Sequence, residues 1–155
     1  MTSTVYLNIG SNSGDRRAFI ARAVAALRSS ALFAGAQCRL SEAVESEPWG
    51  FESEHGFTNI GLAFDIERAE AWTDAELEAL LDTTQAVERS LSAMPHRNAD
   101  GSYRDREIDI DIIEVDDIVY SSPRLTLPHP HASERPFVSG PLEELKSKPC
   151  RDAGS

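Results

Sequence analysis

The stretch that decides the fold is TNIGLAFDI, residues 58–66. From Ile60 to Ile66 every second residue is a large apolar one, and Asn59 has the opposite parity. Because successive side chains of a strand point to opposite faces, this pattern predicts a strand with one buried face. Asn59 is expected to point away from the apolar row.

A helix is predicted directly after this strand. Thr73 followed by Glu76 forms a capping box, in which each residue satisfies a backbone N–H of the other at the start of a helix. Side chains then recur at helical spacing, as expected for an amphipathic helix. The recurring positions are Leu77, Leu80, Leu81, Thr84, Val87 and Leu91.

The segment before the deciding strand predicts a strand, a helix and a second strand. Val5, Leu7 and Ile9 alternate with polar or aromatic residues, and the turn and cap residues that follow predict a helix over about 15–32. A strand is plausible over 37–45. The buried stripe of the helix is expected to comprise Ile20, Val24, Leu27 and Ala31.

After the second helix the segment EIDIDII, residues 107–113, alternates as a strand, and a short strand-like segment follows at 118–120. The order strand, helix, strand, strand, helix, strand closes most simply as an antiparallel sheet with both helices on one face. The predicted class is therefore α+β, with a ferredoxin-like core. From Ser121 onward the chain has Pro-rich loop chemistry, with a short helix expected near 141–146 and active-site loops elsewhere.

The composition predicts one soluble globular domain over residues 1–155. Apolar residues make up 41% of the chain and charged residues 26%, and no apolar run approaches the roughly 20 residues that cross a bilayer. The start of the chain lacks the pattern of an export signal, so the cytoplasm is the expected location. A net charge of −11 opposes binding to nucleic acid, and no membrane partner is expected. Cys38 and Cys150 show no metal or disulfide spacing.

Two carboxylates stand out in the segment EIDIDII. The period of two puts Asp109 and Asp111 on one face, about 7 Å apart, with isoleucines on the other. Mg²⁺ prefers such oxygen ligands and is usually held by one or two carboxylates together with substrate phosphates. The alternative is a solvated acidic strand face, and the spacing alone does not decide between the two interpretations. Arginines nearby could bind phosphate oxygens in a forked geometry, although a lone arginine is more often a surface charge.

Several motifs, in order, resemble one family of enzymes. They are YLNIGSN, EPWG followed by FTN, Q-x-x-E on the second helix, DREIDIDII, and LTLPHP-x-x-x-ERPFV-x-x-PL. The chain resembles 6-hydroxymethyl-7,8-dihydropterin pyrophosphokinase of folate biosynthesis from Val5 to Leu142. The resemblance implies a ferredoxin-like α+β core, transfer of diphosphate from ATP to the pterin hydroxymethyl oxygen, release of AMP, and two Mg²⁺ ions. A monomer is expected.

The resemblance also implies roles for particular residues. Asp109 and Asp111 would bind the two Mg²⁺ ions. The residues counted as catalytic are these two together with three phosphate contacts, Arg106, His129 and Arg135. The ATP pocket would be shaped by Gln85, Glu88, Ile112, Leu125 and Thr126. The pterin site would be lined by Ser46, Pro48, Trp49, Phe57, Asn59 and Phe137, with Asn59 reading the hydrogen-bonding edge of the ring.

The chain departs from the family pattern at two places. Many members carry Gly-Arg after the Q-x-x-E helix, where this chain has Ser92-Ala93, and His96 or Arg97 is a candidate to supply the missing charge to ATP. Many members have Trp-Gly-Pro-Arg where this chain has 103–106, so Tyr103 or Arg104 is expected to cover ATP instead.

Other functions remain open at the level of sequence. A Mg²⁺-dependent nucleotidyl transferase would release pyrophosphate instead of AMP. A non-catalytic relative would bind ATP or pterin and turn over neither. An RNA-binding ferredoxin-like module is disfavoured, because the chain is acidic and lacks the aromatic sheet motif of such modules.

Overall fold

The computed structural model describes residues 1–11, 16–46, 57–92, 108–130 and 132–147, with the backbone alone at 16, 46, 57, 92 and 133. Within these ranges the chain forms seven strands, three α-helices and one 3-10 helix, Ala132–Glu134. The strands and helices, in chain order, are β1 (Thr2–Ser11), α1 (Arg16–Ser29), β2 (Gln37–Leu40), β3 (Val44–Ser46), β4 (Phe57–Glu67), α2 (Asp74–Ser92), β5 (Asp109–Val115), β6 (Tyr120–Ser121), β7 (Thr126–Leu127) and α3 (Pro136–Ser147).

The main sheet has the order β2-β4-β1-β5, and β3 also pairs with β4. Every pairing in it is antiparallel. The two long strands, β1 and β4, lie at its centre and pair along their whole length, from Thr2 opposite Glu67 to Ser11 opposite Thr58. The predicted combination of an antiparallel sheet with helices is confirmed.

One face of the sheet carries the main apolar core. Helices α1 and α2 contact each other and cover this face. Leu62 and Phe64 of β4 are fully buried here, and Phe33 stacks on Phe64 with 4.0 Å between ring centroids. The capping box is confirmed, because Thr73 N–H donates to Glu76 at 3.0 Å and Glu76 N–H donates to the Thr73 hydroxyl at 3.1 Å.

The carboxyl end of the first helix differs from the prediction. Helix α1 ends at Ser29, so Ala31 is exposed and the prediction that it is buried was wrong. The chain turns through Gly35, whose φ is +79°, and this turn brings Phe33 into the core. Ala23 is the further buried residue on the helix stripe.

Three other boundaries also differ from the prediction. The strand predicted over 37–45 is divided into β2 and β3, and between them Ser41 exchanges hydrogen bonds with the backbone of Gly61 at 2.8 and 2.9 Å. The strand-like segment 118–120 contributes only Tyr120 to a strand, and Val119 is 84% exposed. Tyr120 pairs with Leu127 of β7, which lies in the segment predicted as loop. The helix predicted near 141–146 begins earlier, at Pro136.

Helix α3 covers the other face of the sheet, where it packs against β4. This close approach depends on Gly61, because an added Cβ would lie 2.9 Å from Cβ of Pro141 and 3.0 Å from Cδ1 of Leu145. A smaller apolar cluster of Ile113, Ala132 and Val138 forms beside it. In the described part of the chain, no helix has both the length and the hydropathy that a membrane span requires.

Candidate active site

A polar row crosses three strands on the face that α3 covers. Gly10 of β1 lies between Asn59 of β4 and Asp109 of β5 in the sheet register. In the next row on this face, Asn8 lies opposite Asp111. Directly opposed residues in antiparallel strands share a face and approach closely, so these side chains form one continuous surface. The predicted parity of Asn59, Asp109 and Asp111 is confirmed.

The apolar side of β5 is also as predicted. Ile108, Ile110 and Ile112 are buried in the main core, whereas Asp109 and Asp111 are partly exposed on the opposite face. The carboxylates can therefore meet a ligand while the same strand is held by its isoleucines.

Gly10 allows Asn59 to occupy this row. An added Cβ at position 10 would lie only 2.7 Å from Oδ1 of Asn59, closer than real Cβ atoms approach another atom. Asn59 itself is 4% exposed. Because Gly10 has no side chain, the Asn59 amide can occupy the space beside it on this face of the sheet.

Asn8 was missed as a candidate site residue. It is 4% exposed, and its Nδ2 donates to the backbone carbonyl of Phe137 at 3.2 Å. Phe137 lies in the first turn of α3. The available signal was the alternation of β1, which gives Asn8 the parity opposite to the apolar residues of that strand. The register that places it beside Asp111 could not be read locally.

The outer edge of β5 is held by two groups from elsewhere in the chain. The Glu88 carboxylate of α2 accepts a hydrogen bond from the Ile110 N–H at 2.7 Å. The His129 N–H donates to the Ile113 carbonyl at 2.7 Å. Two predicted residues, Glu88 and His129, are thereby placed beside the strand that carries the aspartates.

The other predicted ATP residues that the structure describes lie on α2, on β5 and in the β6–β7 hairpin. The side-chain amide oxygen of Gln85 accepts a hydrogen bond from Arg124 at 3.2 Å, and Thr126 is exposed. Leu125 and Ile112 are both buried in the main core, so their side chains contribute to the support of this region. Gln85 belongs to α2, and Leu125 and Ile112 belong to the core that α1 and α2 cover, so these three residues lie on the side of the sheet opposite the aspartates.

A polar cluster joins the hairpin to α2. Glu78 accepts hydrogen bonds from the Tyr120 hydroxyl at 2.6 Å and the Ser122 hydroxyl at 2.7 Å. These bonds, first that of Tyr120 and then that of Ser122, lower the pKa of Glu78, and the same contact raises the pKa of Tyr120. Arg124 pairs with Asp82 at 2.5 Å, which raises the pKa of the guanidinium. The cluster fixes the hairpin against α2 near Gln85.

Arg135 lies immediately before α3. Its carbonyl accepts hydrogen bonds from the N–H groups of Val138 and Ser139, both at 2.8 Å, and its side chain is exposed. The 3-10 helix separates it from His129. The structure thus places both basic candidates in one segment between β7 and α3, as their spacing in the sequence suggested.

The pterin candidates are described only in part. Asn59 lies beside Gly10 in the polar row, and the backbone carbonyl of Phe137 accepts a hydrogen bond from Asn8. The backbones of Ser46 and Phe57 pair at the adjoining end of β4. The predicted residues outside the described ranges are Pro48, Trp49, His96, Arg97, Tyr103, Arg104 and Arg106.

The chemistry of the polar row suits a hard cation only if other ligands join it. Among the described residues, no three His, Cys, Asp or Glu side chains come together in a group that could hold a metal ion. Two carboxylates on one strand face nevertheless fit Mg²⁺, which commonly takes one or two carboxylates and completes its shell with water and substrate phosphates. The donor set therefore fits a cation delivered with a nucleotide.

Comparison with known proteins agrees with this geometry. Residues 6–147 match the family model for 7,8-dihydro-6-hydroxymethylpterin-pyrophosphokinase. The chain is 40% identical over 144 residues to the 2-amino-4-hydroxy-6-hydroxymethyldihydropteridine pyrophosphokinase of Porphyromonas gingivalis, covering 91% of this chain and 89% of that one. Enzymes of the same name from Aquifex aeolicus and Bacillus subtilis are 34% and 30% identical, over 93% and 100% of this chain and 81% and 85% of their own. The chain belongs to the 7,8-dihydro-6-hydroxymethylpterin-pyrophosphokinase family.

Proposed function

We propose that this chain transfers the β,γ-diphosphate of ATP to the hydroxymethyl oxygen of 6-hydroxymethyl-7,8-dihydropterin, in the synthesis of folate. A bond forms between that oxygen and the β-phosphorus, the bond from the β-phosphorus to the α–β bridging oxygen breaks, and AMP leaves. The observation that carries the proposal is the polar row, in which Asp109 and Asp111 share a face with Asn59. The family membership supports the same reaction.

The aspartates are proposed to hold magnesium. Enzymes of this family generally need Mg²⁺ to bind ATP. We assign two ions to Asp109 and Asp111, whose partly exposed carboxylates lie on one face of β5. When bound, such ions neutralise phosphate charge and orient the attacking and leaving oxygens.

ATP is proposed to wrap around the outer edge of β5. Its triphosphate would lie on the aspartate face, with Arg106, His129 and Arg135 as phosphate contacts. Its nucleoside would lie toward α2 and the hairpin, near Gln85, Glu88 and Thr126. The hydrogen bonds of Glu88 and His129 to the β5 backbone support this arrangement, because both residues lie against the same strand edge.

The pterin is proposed to lie on the same face, between β4 and the first turn of α3. Asn59 would hydrogen bond to the edge of the ring, and Phe57 and Phe137 would stack on it, with Ser46, Pro48 and Trp49 completing the site. Burial of Asn59 supports this role, since a buried amide that must be paired discriminates strongly between ring edges.

Catalysis then rests on positioning and charge. Phosphoryl transfer asks little covalent chemistry of the protein, so the chief contribution of these residues is to align the acceptor oxygen with the β-phosphorus and to neutralise the phosphates. The proton of the acceptor hydroxyl is lost in the reaction, and no residue is assigned as its acceptor.

We also propose a ferredoxin-like topology for the core. The strand order β2-β4-β1-β5, with α1 and α2 on one face, supports a ferredoxin-like core with additional C-terminal elements. A monomer in the cytoplasm stays a prediction from the sequence.

The test is to identify the products. The full chain is incubated with ATP, Mg²⁺ and the reduced hydroxymethyl pterin, and phosphorus NMR follows the reaction. AMP and a pterin diphosphate ester in equal amounts are expected. Free pyrophosphate with a nucleotide ester would instead indicate nucleotidyl transfer, and ligand binding without turnover would indicate a non-catalytic relative; either result would refute the proposal.

A further inference from the structure

We infer that Asn8 is a positioning residue for the transfer: it holds the first turn of α3, and with it Phe137, at the level of Asp111. This inference rests on the proposed function, because it assigns Phe137 to the pterin and Asp111 to the ATP phosphates. Asn8 touches neither substrate in this account and acts through the helix it holds.

The burial of Asn8 requires an explanation. Asn8 lies in β1, a central strand, and is 4% exposed. An amide withdrawn from water costs free energy unless it is hydrogen bonded. Its cross-strand partners on this face are Gly61, which has no side chain, and Asp111. The amide donates one hydrogen bond to the Phe137 carbonyl at 3.2 Å, and this bond connects the sheet to α3.

The other end of α3 has its own attachments. Arg39 donates to the Leu145 carbonyl at 3.0 Å while paired with Asp65 at 2.8 Å, and Lys146 pairs with Glu114 at 2.7 Å. Helix α3 is therefore attached to the sheet near both ends. The attachment through Asn8 is the one that lies in the same cross-strand row as Asp111.

This placement has a specific consequence for the reaction. The pterin is stacked by a residue of α3, whereas the phosphates are bound at β5, so the distance between acceptor and phosphorus depends on how α3 sits on the sheet. A misplacement of about 1 Å can cost a large factor in rate. Loss of the Asn8 contact would release the first turn of α3 while Arg39 and Lys146 still hold its far end.

The test compares Asn8→Ala with Thr4→Val. Thr4 lies on the same strand and has the same parity as Asn8, and its hydroxyl donates to Asp65 at 2.8 Å, at the end of the sheet remote from the aspartates. Each variant removes one side-chain hydrogen bond from the face that α3 covers. Only the Asn8 variant removes it from the first turn of α3, so Thr4→Val is a matched control for general loss of stability.

Asn8→Ala is expected to raise the pterin KM about tenfold and also to lower kcat, because the acceptor is no longer aligned with the phosphorus, while the ATP KM stays within about twofold of wild type. Hydrogen exchange should become faster at the amides of residues 137–140 in this variant and stay unchanged there in Thr4→Val. Asn8→Ser, whose side chain is too short to reach the carbonyl directly, is a second variant with the same expectation.

Equal pterin KM values and equal exchange in the Asn8 and Thr4 variants, with an active wild type, would overturn this role and leave the proposed function intact. A wild-type protein that formed no AMP would refute the proposed function and the role of Asn8 with it.

Discussion

The two faces of the main sheet carry different kinds of side chain. On the face covered by α1 and α2, the side chains of Val5, Leu7 and Ile9 are almost completely buried among apolar neighbours. On the face covered by α3, Gly10 of the same strand lies between Asn59 and Asp109, and Asn8 lies between Gly61 and Asp111. A period of two therefore separates folding from chemistry along a single strand. Adjacent substitutions should have sharply different effects.

The largest effect on stability is expected from the apolar face. Leu7→Ala removes a side chain that is 1% exposed in the central strand, and such truncations cost about 2–5 kcal/mol through lost burial and a residual cavity. Urea unfolding should show this loss, while kcat per folded molecule stays close to wild type. Leu40→Ala is the control, because Leu40 is 49% exposed and its truncation should cost about 0.5 kcal/mol or less. Equal costs at both positions would contradict the description of the core.

A smaller effect on stability, with a functional one, is expected from Gly10→Ala. The added Cβ must displace Asn59, which it would otherwise meet at 2.7 Å, and overpacking of this kind costs about 1–3 kcal/mol. The pterin KM should rise as Asn59 moves, and initial rates at varied pterin would measure it.

Gly140→Ala is the matched control for this substitution. Gly140 is an exposed position in α3, and an added Cβ there meets nothing within 4 Å. Alanine is favoured over glycine in a helix by about 0.5–1 kcal/mol, so this variant should be slightly more stable and fully active. An unchanged pterin KM in Gly10→Ala would count against Asn59 as a pterin contact.

The smallest effect concerns pH and the hairpin beside α2. The pKa of Glu78 is lower in the folded protein than in the unfolded chain, because Tyr120 and Ser122 donate to its carboxylate. Its stabilisation is therefore present above the unfolded-state pKa of about 4.3 and is lost as pH falls through the folded-state pKa. Glu78→Gln should lower the melting temperature at pH 7 and make little difference near pH 2.

Much of this organisation follows from local patterns. Alternation in β4 and β5 predicted which side chains share a face, and the capping box of Thr73 and Glu76 predicted the start of α2. These signals are local because strand parity and helix capping involve residues close together in sequence.

Other features depend on contacts between distant residues. Asn8 and Phe137 are 129 positions apart, and their contact arises only when α3 docks on the sheet. Strands β6 and β7 have two residues each, too few to show alternation. The interruption between β2 and β3 depends on the hydroxyl of Ser41 bonding to Gly61, which no local pattern indicates.

The central claim is that the polar face of β5 binds the magnesium on which turnover depends. The most direct test is to measure AMP formation by Asp111→Asn across a range of Mg²⁺ concentrations, with unfolding measured on the same sample. The substitution keeps the shape of a partly exposed side chain and removes its charge. Turnover should fall by about a hundredfold or more, as when a charge-stabilising group is removed from a reacting centre, while stability stays near wild type. Near-normal AMP formation with an unchanged Mg²⁺ dependence would contradict the assignment of Asp111 to the metal.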